Sequence, residues 1–235
     1  MPPANTATTA NRLLASLPKR DRQRFLAGCE PIKLVFTEIM AEPGEPFRHV
    51  HFPTDGFISL TTVVDDGATL EVGLIGNEGM LGISLILGVN VSPLHALVQG
   101  EGTALRMDVA RFRRELEQSP ALQQVLKRYL YVFLSQLAQT AACTRFHVVE
   151  ARLARWLLMT EDRAHSGQFH VTHEFLAYML GVRRVGVTKA ATSLQQLKLI
   201  RYSRGDITIL DRRGLEAASC GCYEADKATY DRIMG

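Results

Sequence analysis

Between Thr172 and Leu197 apolar residues recur at helical spacing in two short runs. Phe175, Leu176 and Met179 form one apolar face. Val187, Ala190, Ala191, Leu194 and Leu197 form a second, at i, i+3, i+4, i+7 spacing. Thr172 stands where its hydroxyl can accept from an orphan N–H of a first helical turn, and Gly181 stands where that helix must stop. The other face of the second helix carries Arg183, Arg184, Val185, Thr188, Lys189 and Thr192 near its N-terminus. Next, Leu199–Ser203 and Asp206–Leu210 predict two strands, with Arg204 and Gly205 at the turn and Gly205 supplying a positive φ. Two helices at a glycine turn followed by a hairpin make a winged helix-turn-helix, with Ser203 and Arg204 at the wing tip.

The pattern elsewhere is of two other kinds. Asn11 to Ala27 predicts two short helices, and residues up to about Thr9 are Ala/Thr/Pro-rich and predict disorder. From Ile32 to Met107 short alternating stretches of about five residues are separated by turn signals at Pro43–Gly44, Asp65–Asp66–Gly67 and Gly100–Glu101–Gly102. Such spacing predicts an all-β roll or barrel. Asp108 caps a short helix, Val109–Glu117. Ser119–Pro120 then opens a long one that can run to about Phe146. That long helix has two apolar stripes. Leu122, Leu126, Tyr129 and Phe133 recur at 4-3-4 spacing, as in a coiled-coil seam. Leu130, Leu134, Leu137 and Ala141 form the other. One stripe can pack on the β-roll, and the other then needs a partner. Val149–Thr160 is a further amphipathic helix, Asp211 caps one through about Ala218, and the remaining tail is weakly patterned.

Composition changes this picture little. At 235 residues, 46% apolar and 22% charged, the chain has room for two domains. It lacks an apolar run long enough for a membrane span and an N-terminal export signal, so a cytoplasmic location is expected. The four cysteines show no C-x-x-C pair and read as reduced thiols. Charge changes the picture more. The net charge is only +3, but Arg183–Arg213 holds eight Lys/Arg against Asp206 and Asp211. Residues through Cys143 carry 13 basic against 14 acidic groups, so the positive field is concentrated on the helix-turn-helix, as a phosphate backbone requires.

The stretch LGV-RR-VGVTKAATSLQQLKLI and the wing RYSRGDITILD resemble the winged helix-turn-helix of the Crp/Fnr transcription regulators, the family of the cAMP receptor protein. The resemblance extends to the β-roll, where EPGE, the DG of FPTDGFISL and GLIGNEGMLG lie at the family's turns. It implies an α+β chain in three parts: a jelly-roll, cyclic-nucleotide-binding-like sensor over residues 1–118, a dimerisation helix and hinge over 119–146, and a DNA-binding domain over 147–235. It also implies a homodimer on a pseudo-palindromic operator, with Leu122, Leu126, Tyr129 and Phe133 at the dimer interface and RNA polymerase as a further partner. Arg184, Val185 and Lys189 match by position the family residues that touch base edges. The family's cyclic-nucleotide cassette is altered here. Ile83 stands where a glutamate holds the ribose, and Val91–Ser92–Pro93–Leu94 supplies no arginine for the phosphate. Burying an anionic phosphate there without a cation is costly, so the effector is expected not to be cAMP. Asn77, Glu78, Met80, Ile83 and His95 are left as a lining for some other small molecule, with a structural turn as the alternative.

Other candidate chemistry is thin. Gly73, Gly76, Gly79 and Gly82 recur every three residues but match no phosphate-loop motif. His49-x-His51 has metal spacing but no third ligand nearby, and reads as a pair of surface histidines. Cys220-x-Cys222 has the spacing of a redox pair or of part of a metal site in a dimer, but it has no partner histidine in its neighbourhood, so no metal ligand set and no cofactor are assigned. No catalytic grouping stands out, and the chain is not expected to be an enzyme. The competing reading is a ligand-binding β-barrel whose C-terminal domain docks a protein. That reading does not require the +6 cluster.

Overall fold

The computed structural model describes residues 11–64 and 67–235. The Asp65–Asp66 turn and the stretch up to Thr9 therefore lie outside the described residues. The chain divides into two compact units. The first holds the residues up to Ile58 together with Ile75–Leu130, and the second holds Ser59–Leu74 with Tyr131–Gly235.

In the first unit, α1 (Arg12–Ala15) and α2 (Lys19–Leu26) precede β1 (Glu30–Leu34) and β2 (Ile39–Ala41). Asn11 caps α1, and its side-chain amide also donates to the carbonyls of Pro53 and Gly79, each at 2.9 Å. The main strands are β3 (His49–Val63) and β5 (His95–Asp108), followed by α3 (Val109–Gln118) and α4 (Pro120–Phe146). β4 (Thr69–Ile75) completes an antiparallel sheet of order β1-β5-β3-β4, with β2 paired to β5. β3 and α4 continue into the second unit, which also holds β4 up to Leu74. The core is built on a cluster of three rings, Phe25, Phe52 and Phe112, with centroids 5.3–6.5 Å apart. Asp108 and Ser119 cap α3 and α4 as the sequence predicts.

The strands correct two expectations. Asp55–Gly56 and Gly100–Glu101–Gly102 are not turns but lie inside two long strands of 15 and 14 residues. A Cβ on Gly56 would sit 2.4 Å from the carbonyl oxygen of Gly100, and one on Gly102 would sit 2.3 Å from that of Asp55. These glycines let two backbones approach where any side chain would clash. Gly56 also takes φ +72°, a kink that the strand absorbs without ending.

The stripe expected at the dimer interface is largely covered within the single chain. Leu122, Leu126 and Tyr129 are at most 3% exposed within the single chain. Tyr129 approaches so closely that a Cβ on Gly79 would lie 2.3 Å from its hydroxyl. Phe133 is half-buried over Gly73 of β4. The other stripe is the more open one: Leu134 is 56% exposed with Tyr131 beside it at 54%, and Ala141 is exposed, while Leu130 and Leu137 are half-buried. Both stripes carry the same heptad spacing. Which one faces the chain's own core depends on Gly79, a residue distant in sequence.

In the second unit, α5 (Val149–Ala164) packs against α6 (His173–Leu180), α7 (Arg184–Gln196), α8 (Arg212–Ala218) and α9 (Cys222–Met234). Leu153, Leu157, Leu176, Val187, Leu194 and Leu215 are fully buried at its centre. A three-stranded sheet of order β6-β8-β7 uses β6 (Gln168–His170), β7 (Ile200–Ser203) and β8 (Asp206–Ile209). Helix α9 lies where the sequence is weakly patterned. Its inner face includes Asp226, which pairs with Arg155 of α5 at 2.7 Å, both side chains buried. Two charges on an inner face hide the amphipathic pattern, yet paired they can be buried.

Candidate nucleic-acid interface

Thr172 Oγ1 accepts from the backbone N–H of Phe175 at 3.1 Å, which sets the start of α6. Gly181 ends α6 in the left-handed region, at φ 59° and ψ 43°. Val182 and Arg183 complete the turn, and α7 begins at Arg184. Because Val187, Ala190, Ala191 and Leu194 are buried, the opposite face of α7 is turned to solvent. The eight residues expected to meet DNA (Arg183, Arg184, Val185, Thr188, Lys189 and Thr192, with Ser203 and Arg204 on the wing) are all exposed. Val185 alone among them is apolar, and it is 60% exposed.

The wing turn takes positive φ at both central residues, 54° at Arg204 and 92° at Gly205, which suits a two-residue hairpin loop. The sequence indicates this for Gly205 only. Arg204 therefore holds an uncommon backbone conformation at the exposed tip. His170, on the third strand β6, contacts Asp206 at 2.8 Å, and a Cβ on Gly205 would meet its ring at 2.6 Å.

A residue that the sequence reading passes over joins these parts. His173, the first residue of α6, stacks on Tyr202 of the wing with ring centroids 4.4 Å apart and an interplanar angle of 14°. Its Nδ1 lies 3.0 Å from Thr188 Oγ1 on α7. Since the Thr188 hydroxyl also donates to the Arg184 carbonyl at 3.1 Å, Nδ1 carries the proton in this arrangement. Burial, with the Arg184 guanidinium second, lowers the His173 pKa. The Tyr202 hydroxyl donates to the Val171 carbonyl at 2.9 Å. Together these contacts fix the recognition helix against the wing. No sequence pattern announces them, because the three residues lie on three separate elements.

Not all of the local positive charge faces outward. Arg212 is tied to Glu161 and Asp162, both at 2.6 Å, and to Glu216 at 3.1 Å. It braces α5 against α8, and the field available to a ligand comes from the other cations.

The five residues expected around an effector are placed differently. Met80 is fully buried. Glu78 folds back to accept from the Gly76 N–H at 3.3 Å, and the Asn77 carbonyl accepts from the Arg12 N–H at 2.7 Å, so both serve the turn. Ile83 opens a 3₁₀ turn, and His95 pairs with Glu42 at 2.9 Å. A cleft of about 330 Å³ opens instead along residues 38–51, and none of the five lines it. Its walls carry Glu38, Glu42, Glu45, Arg48, His49 and His51. His51 is buried rather than on the surface, and burial lowers its pKa to about 4, so it is neutral at physiological pH. At the altered cassette, the Ser92 hydroxyl donates to the Leu94 carbonyl at 2.6 Å and so closes that loop on itself.

Comparison with known proteins bears on the same residues. Residues 151–218 match the Crp-like helix-turn-helix domain. The global nitrogen regulator of Nostoc sp. (strain PCC 7120 / SAG 25.82 / UTEX 2576) is 23% identical over 176 residues, covering 71% of this chain and 79% of its own. That of Synechococcus elongatus is 22% identical over 178 residues, covering 72% and 80%. Among solved structures, FixK2 from Bradyrhizobium japonicum superposes with a TM-score of 0.69 at 14% identity, covering 82% of this chain and 98% of its own. The c-di-GMP responsive global regulator CLP of Xanthomonas campestris reaches a TM-score of 0.67 at 17% identity, covering 82% and 99%.

Proposed function

We propose, from the premise that the chain belongs to the Crp/Fnr family of DNA-binding transcription regulators, that it binds a pseudo-palindromic operator as a homodimer. One observation supports this most: eight residues chosen for base or phosphate contact are all exposed on one helix-turn-helix and its wing, held in register by His173 and Tyr202. The dimer seam in this reading is the more exposed stripe of α4, centred on Leu134 and Ala141 with half-buried Leu130 and Leu137, and with Tyr131 beside it. A coiled-coil pair along that stripe buries apolar surface that would otherwise meet water. Two recognition helices then address half-sites about 34 Å apart. In the same reading the regulator acts in the cytoplasm, and its DNA-bound form is presented to RNA polymerase. The matched domain favours DNA over a protein partner for the C-terminal unit.

For the effector we infer a small molecule other than cAMP. The cassette offers Ile83 and Val91–Leu94 in place of its acidic and basic anchors. The open cleft at residues 38–51 has three carboxylates against one guanidinium, which repels a phosphodiester anion. Calorimetric titration of the full chain with cAMP and cGMP is expected to give no heat of specific binding. A micromolar Kd for either would overturn the effector reading. Sedimentation with and without duplex DNA tests the dimer: a species of two chains per duplex is expected, and monomers at micromolar concentration with DNA present would overturn it.

A further inference from the structure

Four thiol and imidazole side chains from distant parts of the sequence converge in the second unit. Cys143 lies in the last turn of α4, and His147 follows four residues later, one helical turn on. Cys222 opens α9, and Cys220 lies two residues before it. Their ligand atoms all fall within 4.8 Å of one another. Cys143 Sγ is 3.5 Å from Cys220 Sγ, and Cys222 Sγ is 3.4 Å from His147 Nδ1. A tetrahedral zinc ion with Zn–S near 2.3 Å and Zn–N near 2.05 Å separates two sulfurs by about 3.8 Å and a sulfur from a nitrogen by about 3.6 Å. These two edges are within a few tenths of an ångström of those values, and the other four are no longer than 4.8 Å. The three cysteines are at most 7% exposed, while His147 is exposed.

The surroundings suit thiolates. The Gln139 side-chain amide donates to Cys222 Sγ at 2.9 Å, a contact that orients a ligand sulfur. The buried guanidiniums of Arg152 and Arg155 lie within electrostatic reach of Cys143 and Cys220. Three thiolates, a neutral imidazole and a divalent ion sum to one negative charge. Arg155 is already paired with Asp226, and Arg152 donates to the Leu180 carbonyl. Arg152 is thus the positive charge left to balance the site. A polynuclear iron–sulfur cluster spreads its ligands over different irons, farther apart than this, so a single ion fits better. A Cys143–Cys220 disulfide would use one edge of the cluster and leave the Cys222–His147 edge without a purpose.

We propose that Cys143, His147, Cys220 and Cys222 form a tetrahedral site for one divalent ion of the zinc class, which ties the end of α4 and the α4–α5 junction to the start of α9. Metal binding then contributes to folding of this unit, because the four ligands are brought together only in the folded chain. It also sets the angle at which the DNA-binding elements leave α4. The exposed imidazole gives a chelator access to the ion, so occupancy can vary with metal supply.

The test uses the full-length protein, purified under reducing conditions without chelator from zinc-supplemented medium. Native mass spectrometry is expected to find one zinc per chain. After removal of the zinc, titration with Co2+ is expected to give sulfur-to-cobalt charge transfer in the near ultraviolet and the visible bands of a tetrahedral ion. Cys143→Ser, Cys220→Ser and Cys222→Ser are each expected to lower the charge-transfer intensity, and Cys29→Ser to leave it unchanged. His147→Ala alters an exposed loop residue and so does not threaten the core. It is expected to keep the charge-transfer band, change the visible bands and weaken Co2+ binding by roughly tenfold or more. Wild-type protein that carries no metal and develops no bands at micromolar Co2+ would overturn the proposal. So would a His147→Ala variant indistinguishable from wild type, or a Cys143–Cys220 disulfide in freshly reduced, zinc-replete protein.

Discussion

Replacing Glu71 by glutamine is expected to stabilise the second unit at pH 8 and to change it little at pH 4, below the pKa of the unfolded carboxyl. Glu71 is fully enclosed. It accepts from the Ser59 hydroxyl at 2.5 Å and from the Trp156 indole N–H at 2.8 Å. Burial raises its pKa from 4.5 to about 7, with the hydrogen bonds from Ser59 and Trp156 and the charges of Arg163 and Arg155 offsetting only part of the desolvation. The folded state therefore binds a proton that the unfolded state releases near pH 4.5. Stability falls as pH rises from about 4.5 to about 7 and is level above that. A raised pKa of this size corresponds to about 3 kcal/mol. Glutamine preserves both contacts, accepting from Trp156 through its oxygen and donating to the Ser59 hydroxyl through its amide, and it has no charge to desolvate. Urea unfolding followed by the fluorescence of Trp156, the sole tryptophan, reads the effect at the site itself. A variant less stable than wild type at pH 8 would refute the reasoning. It would mean that Arg155 and Arg163 stabilise the carboxylate by more than burial costs.

Other perturbations separate the remaining roles. Leu134→Glu on the more exposed stripe of α4 is expected to yield monomers in sedimentation with little loss of stability per chain. Leu126→Ala is expected to cost about 2–5 kcal/mol in unfolding, because it empties a buried site. His173→Ala removes both the stack on Tyr202 and the contact to Thr188, and should weaken binding to all DNA sequences while leaving their ranking unchanged. Arg204→Ala at the wing tip should also weaken all sequences alike and, unlike His173→Ala, make the salt dependence of binding shallower, as loss of a phosphate contact does.

The helix-turn-helix was legible in the sequence because its signals are local. Thr172, Gly181 and the apolar spacing of Val187 to Leu194 each act within a few residues, and the exposed face follows by exclusion. The same holds for the caps at Asp108, Ser119 and Asp211. What was not legible depends on partners far along the chain. Gly100 and Gly102 look like a turn until Asp55 and Gly56 lie across from them. The two stripes of α4 are equivalent until Gly79 admits Tyr129. Helix α9 has no clean apolar face, because Asp226 is buried against Arg155 on another helix. The four metal-ligand candidates span residues 143 to 222. Only Cys143 and His147, with i, i+4 spacing, and the C-x-C pair carry a local signal, and neither is sufficient alone.

The claim that α7 reads DNA bases is tested most directly by selecting binding sites from random duplex DNA with wild type and with Arg184→Ala. Arg184 is exposed at the leading end of α7, where a guanidinium can reach the O6 and N7 of a guanine, and Val185 beside it can touch a thymine methyl. The account predicts a two-fold symmetric consensus for wild type. For Arg184→Ala it predicts the same consensus with preference relaxed at one base pair per half-site, and affinity for the wild-type site lowered by about 1–3 kcal/mol. An identical consensus from both proteins would contradict it, as would the absence of any consensus from wild type.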